Sequence, residues 1–203
     1  MNIIRIIIAI NIAVFLLWNI TGSSEPVFMI QNFLVSWSAL AQGRFWTLLT
    51  SVFSHNMSLH IFINMYVLYG FGSVLERILG WRSFLKFYLL AGIISSLSHC
   101  LVSAWLLQNP DLPALGASGA ISGVILVFAL TFPRQKLFLF GLIPLPAFLG
   151  ALAFIGLDLW GLVAQASGGG LPIGHGAHLG GAITGIFYYF LFLRRRYLVN
   201  QHY

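Results

Sequence analysis

The sequence predicts an all-α fold: a polytopic membrane protein of six transmembrane helices. Three observations predict it. Of 203 residues, 59% are hydrophobic and only 7% are charged, where a soluble domain carries about 25% charged residues. The apolar residues gather into six spans, at about residues 3–20, 59–75, 84–106, 118–131, 145–163 and 177–193. Most reach, with their flanking residues, the ~20 residues that cross a hydrocarbon core of ~30 Å. Nine of the ten lysines and arginines fall on one side of that arrangement, the asymmetry that orients membrane helices. Residues 1–203 are therefore expected to form one membrane domain with no soluble domain attached. The pI of 9.9 does not indicate nucleic acid, because the basic residues flank apolar spans instead of forming one patch. Cys100 is the single cysteine, so an intramolecular disulfide is excluded.

The first span follows Arg5. Its charged start and apolar run resemble a signal peptide, but no convincing small-residue cleavage site follows; Thr21-Gly22-Ser23-Ser24 is nearest. It is read as a membrane helix. Residues 21–58 are semi-apolar and broken, and they carry Trp37 and Trp46, a residue type favoured at the membrane–water boundary. Short interfacial helices are expected there; a plain loop is the alternative. Spans two and three are separated by Arg77, Arg82 and Lys86, and spans four and five by Arg134 and Lys136. Arg194, Arg195 and Arg196 follow span six. With Arg5 on the same side, both termini are expected in the cytoplasm. Loops 107–117 and 164–176 contain no lysine or arginine.

Span four is short. From Ser118 to Thr131 are 14 residues, about 21 Å of helix at 1.5 Å per residue, against a core of about 30 Å. If its inner end reaches the interface at Pro133-Arg134, its outer end stops roughly 10 Å below the surface. The preceding loop, 109–116, must then dip into the membrane, where irregular backbone is tolerated only against protein or a wet cavity. A pocket open to the outside, with Ser118 at its floor, is expected. Gly116, Gly119, Ala120 and Gly123 crowd this end of span four, and Gly181 and Gly185 form G-x-x-x-G in span six. Both patterns allow close helix approach, and packing alone would explain them.

Several polar residues share this outer depth. Ser118 lies in a glycine-rich turn and needs a base to become a nucleophile. His178, opening span six, is the candidate base. Asp158 and Asp111 have no evident claim on that histidine from spacing, so a two-residue Ser–His arrangement is expected, its imidazole oriented by packing and polar neighbours rather than by a carboxylate. His60 and Asn64 stand i, i+4 on one helix face. With the Ser118 amide they are candidate donors to a developing oxyanion, or else interhelical hydrogen bonds. His55 is expected to bridge locally, and His175 is a lesser candidate base. Cys100 beside His99 is expected to be buried and inert. Glu76-Arg77 reads as an ion pair or cap, and Asp158 as a hydrogen bond to a neighbouring helix. H-E-x-x-H is absent, which argues against a zinc protease.

These motifs resemble those of the rhomboid intramembrane serine proteases. Gly116-Ala117-Ser118-Gly119 is similar to the family's G-x-S-G, and Ala177-His178-Leu179-Gly180-Gly181 with Gly185 to its A-H-x-x-G-x-x-x-G. His60 to Asn64 resembles its H-x-x-x-N, and Phe45-Trp46-Thr47 its first-loop tryptophan segment, with Thr47 where an arginine is common. The resemblance implies a rhomboid-like bundle with Ser118 as nucleophile and His178 as general base. It implies His60, Asn64 and the Ser118 amide as oxyanion donors, and Gly116 and Gly119 as motif glycines. The fifth span and the loop 168–172 would be gate and cap. The implied activity is cleavage of transmembrane segments of other membrane proteins, with water entering from the extracytoplasmic side and with no metal or other cofactor. The expected partners are those substrates and the lipid bilayer, not nucleic acid, and the short tails point to a prokaryotic cell (inner or plasma) membrane. A catalytically silent client binder is opposed by the complete residue set. A small transporter is opposed by the lack of paired inverted repeats.

Overall fold

The computed structural model describes residues 2–21, 26–139 and 143–194, and it is mostly helical. Gly22, Ser23 and Ser24, near the candidate cleavage signal, lie outside the described residues, as do Arg195 and Arg196 of the terminal basic cluster. Helix α1 covers Ile3–Thr21. Its first amides have no intrahelical acceptor, and Glu76 takes two of them: Ile3 N donates to Oε1 at 2.7 Å and Ile4 N to Oε2 at 3.3 Å. The carboxylate also meets the positive end of the helix dipole. Of the two roles expected at Glu76, capping is the one seen.

Among its described residues the first loop holds three short α-helices, α2 (Pro26–Phe33), α3 (Trp37–Ala41) and α4 (Thr47–Thr50), and a 3-10 turn at Ser51–Phe53. Ser36 starts α3, its Oγ accepting from Ala39 N at 3.1 Å. Helix α5 spans Ser58–Leu79 and α6 spans Trp81–Leu106. The residue between them, Gly80, has φ +77°, a left-handed conformation that favours glycine. Helix α7 is Ser118–Thr131.

A β-hairpin, β1 (Lys136–Leu139) and β2 (Ile143–Pro146), follows α7, pairing antiparallel with Lys136 opposite Pro146. The expected fifth span began at residue 145. Pro144 and Pro146 push their preceding residues towards extended backbone, so the helix starts later. Helix α8 is Ala147–Ala166 and α9 is His175–Leu193. Among the described residues, five helices (α1, α5, α6, α8 and α9) are long and apolar enough to cross a membrane, while α7, with 14 residues, is shorter.

The core lies around α7. Every residue from Gly119 to Ala129 is buried except Ile125, and α7 packs between α6 and α9. Missing side chains make this possible. A Cβ on Gly185 would stand 2.5 Å from the Gly123 carbonyl, and one on Gly181 would collide with the Gly119 carbonyl. Polar residues sit inside (Ser95, Ser96, Ser122, Asp158, His175), while Leu157, Trp160, Val163 and Phe187 face outward, each more than 60% exposed. That inversion suits a hydrocarbon surround.

Candidate active site

The site is assembled from the first turns of α7 and α9. Gly116 has φ +120°, and a Cβ there would lie 2.7 Å from His60 Cε1. Only glycine fits both the backbone and the space. Its N–H donates to the Ser51 carbonyl at 2.9 Å, and the next N–H, of Ala117, donates to His55 Nε2 at 3.3 Å. The segment leading to this turn is held as well. Val35 and Ala114 exchange two backbone hydrogen bonds, and His99 Nε2 donates to the Leu112 carbonyl at 3.0 Å. Irregular backbone here is thus satisfied by protein, as a buried segment requires. Ser118 then opens α7 with its side chain partly exposed beside buried neighbours.

Ser118 Oγ stands 2.8 Å from His178 Nε2. On its other side, His178 Nδ1 is 2.9 Å from Asp158 Oδ1 of α8. A carboxylate only accepts, so Nδ1 carries the proton and Nε2 keeps its lone pair for the serine hydroxyl. Phe154, one turn before Asp158, lies over the imidazole, ring centres 5.6 Å apart and 30° from parallel. The expectation of a histidine oriented without a carboxylate is therefore corrected. Asp158 does make the interhelical bond expected of it, but its partner is His178. Spacing hid this, because 20 residues and a loop separate the two. The available signal was an ionisable residue inside an apolar span, which is costly unless it is used.

Asp158 Oδ1 also accepts from His175 Nδ1, at 2.7 Å. His175 packs into a notch at Gly161, where any side chain would strike its ring. Its Nδ1 is engaged with Asp158, so it shares the carboxylate rather than contacting Ser118. His60 faces the Gly116 turn, with its ring 4.8 Å from that of His55. Asn64 is buried and commits one of its two amide hydrogens to the His60 carbonyl at 2.9 Å. The first-turn amides of α7, as at any helix start, have no acceptor within the helix.

His55 lies outside the spanning helices and is fully buried. Burial first, and the nearby His60 second, push its pKa down to about 3, so it stays neutral and serves as acceptor for the Ala117 amide. Local bridging is what the sequence led us to expect of it. Cys100 is also fully buried, packed with Val35 and Leu40. The arrangement can pass a proton from Ser118 to His178 while Asp158 balances the resulting imidazolium. That is the requirement for a nucleophilic serine.

A family model for the Rhomboid domain matches residues 42–195. The chain is 34% identical over 184 residues to the mitochondrial RHOMBOID-like protein 12 of Arabidopsis thaliana, covering 85% of this chain and 53% of that protein. It is 32% identical over 192 residues to the mitochondrial Rhomboid protein 1 of Saccharomyces cerevisiae, covering 92% and 52%. It is 35% identical over 187 residues to the human mitochondrial presenilin-associated rhomboid-like protein, covering 90% and 46%. The chain thus spans about half the length of these relatives.

Proposed function

The chain belongs to the rhomboid family, and from that premise we propose that it is an intramembrane serine endopeptidase cleaving transmembrane segments of other membrane proteins. The observation that carries this reading is the 2.8 Å contact between Ser118 Oγ and His178 Nε2, with Nδ1 anchored on Asp158. Ser118 Oγ attacks the scissile carbonyl carbon as His178 Nε2 takes its proton, and the carbonyl electron pair moves onto oxygen. The oxyanion faces the Ser118 amide, His60 and Asn64. Asn64 turns its free N–H towards it. His178 then returns the proton to the leaving nitrogen as the C–N bond breaks, and water repeats the sequence on the acyl-enzyme.

Six spans, α1, α5, α6, α7, α8 and α9, serve this reading as one rhomboid-like domain over residues 1–203. The charge distribution supports Ser118 lying on the side opposite the basic loops, with both ends on the basic side. The matched relatives bear mitochondrial names, so a cell-membrane location draws no support from them. The reading is of a bilayer protein with its site open to the less basic side.

The test is a reconstituted enzyme challenged with a fluorophosphonate probe and a transmembrane substrate. Wild type is labelled and cleaves; Ser118→Ala does neither, and His178→Ala loses labelling for want of its base. Labelling and cleavage that persist in Ser118→Ala would sink the proposal. A folded wild type that does neither would favour a silent client binder.

A further inference from the structure

One cluster at the site does more than orient a base. Asp158, His175 and His178 place one nitrogen or oxygen each within 4.8 Å of one another. Asp158 and His175 are 4% and 6% exposed, and each retains a buried atom with no partner, Oδ2 and Nε2. A carboxylate that shares one oxygen between two imidazoles and leaves the other unused is poorly satisfied as a hydrogen-bond acceptor. Two imidazoles and a carboxylate are also a common zinc donor set, completed by water at the fourth position.

We propose that Asp158, His175 and His178 form a zinc-binding site, and that zinc bound there switches His178 off as a base. The inhibitory half rests on the protease reading above; the binding half does not.

The geometry allows it with small movements. The two N–H···O contacts are 2.7 and 2.9 Å. Tetrahedral zinc, with bonds of about 2.0–2.2 Å, holds its ligand atoms roughly 3.3 Å apart. Lengthening the two N···O pairs by about half an ångström, or pivoting the carboxylate to offer Oδ2, and drawing the two ring nitrogens, which lie within 4.8 Å of each other, to a similar separation makes room for the ion. Two nitrogen donors favour zinc over magnesium or calcium, which select oxygen.

The inhibition follows from proton position. A neutral imidazole that gives its Nδ1 lone pair to zinc must carry its proton on Nε2. In His178 that is the atom facing Ser118. The metal-bound histidine therefore donates to the serine oxygen instead of accepting its proton, and no nucleophile forms. The protons rearrange within each ring, so binding needs no net proton release.

Binding is measured first on reconstituted Ser118→Ala, by zinc calorimetry and by the visible spectrum of cobalt(II) as a zinc substitute. One saturable ion per chain with a tetrahedral cobalt spectrum is expected. Adding His175→Gln keeps an N–H donor for Asp158 but removes the imidazole, and should weaken binding by at least about 10–100-fold. His178→Gln should do the same, which keeps the test open if one variant does not fold. Absence of saturable binding, or unchanged binding in both Gln variants, overturns the proposal. In the second arm, zinc should block fluorophosphonate labelling of otherwise wild-type protein, chelator should restore it, and His175→Gln should shift half-inhibition by a similar factor. Equal zinc sensitivity in that variant also overturns the proposal. Failure of labelling without zinc overturns the protease reading and leaves the metal measurement to stand on its own.

Discussion

At the scale of single residues, the site turns on Asp158. Asp158→Asn preserves shape but replaces an oxygen that only accepts with an amide that can donate. His178 then loses the preference for a proton on Nδ1, and Ser118 loses its acceptor. The expected result is a fall in kcat of roughly 100-fold or more with KM little changed, measured on a reconstituted transmembrane substrate. Unchanged kcat would mean that packing under Phe154 alone orients the imidazole. His55 gives a second prediction. Its folded pKa of about 3 lies below the ordinary value near 6.5, so between those values the unfolded chain binds the extra proton. Stability is then complete above about pH 6.5 and declines as pH falls towards 3, by about 2 kcal/mol at pH 5. Thermal unfolding at pH 7.5 and 5 should show His55→Gln less stable at the higher pH, for loss of the Ala117 contact, yet less sensitive to acidification. Ser118, His178 and His60 were legible as residues because each is polar in an apolar stretch. Their partners were less so: a hydrogen bond between helices leaves no periodicity in the sequence.

At the scale of elements, the glycine seam between α7 and α9 decides whether Ser118 and His178 meet. Gly181→Ala puts a methyl group into the Gly119 carbonyl. Neither atom belongs to a flexible side chain, so the helices must part, at a cost of about 1–3 kcal/mol. Thermal unfolding in detergent should show the loss, with labelling of Ser118 reduced alongside it. Gly156→Ala in α8 is the control: nothing lies within 4 Å of a Cβ there, and it should be neutral or slightly stabilising. The sequence located this seam through G-x-x-x-G but could not distinguish packing from positioning, since the same contact serves both. Helix α7 itself, Ser118–Thr131, runs between Gly116 and Pro133, residues that end a helix on either side. The hairpin before α8 was missed. Residues 136–144 read only as the connection between spans four and five, and Leu145 and Pro146 as the start of the fifth span, which the two prolines oppose.

At the scale of the whole molecule, the proposed orientation rests on charge placement. A Cys100→Ser background, carrying a single new cysteine at Ser167 or at Arg134, should react with a membrane-impermeant maleimide from opposite faces of sealed vesicles. Reaction of both from one face would overturn the six-span reading. Cys100 itself should stay unlabelled while the bundle is folded, because it is fully buried. The membrane class was readable from composition, and the apolar stretches with basic residues at their ends from the order of the residues, since a bilayer imposes both. Which helix sits in the middle was not, since burial among other helices and exposure to lipid select the same residues.

The burial of α7 has a mechanical consequence. Bilayers differ by several ångströms in thickness, and spanning helices answer by tilting or by thinning the lipid around them. Here that stress falls on α1, α5 and α8, whose outer faces are apolar and exposed. Helix α7 meets little lipid, and the turn before it is tied to Ser51, Val35 and His99. The height of Ser118 is thus referenced to the protein and not to the membrane surface. On the proposed protease reading, a thicker or thinner bilayer would change where along its length a substrate helix lies opposite the serine, and so which bond is presented, while leaving the Ser118–His178 distance as it is.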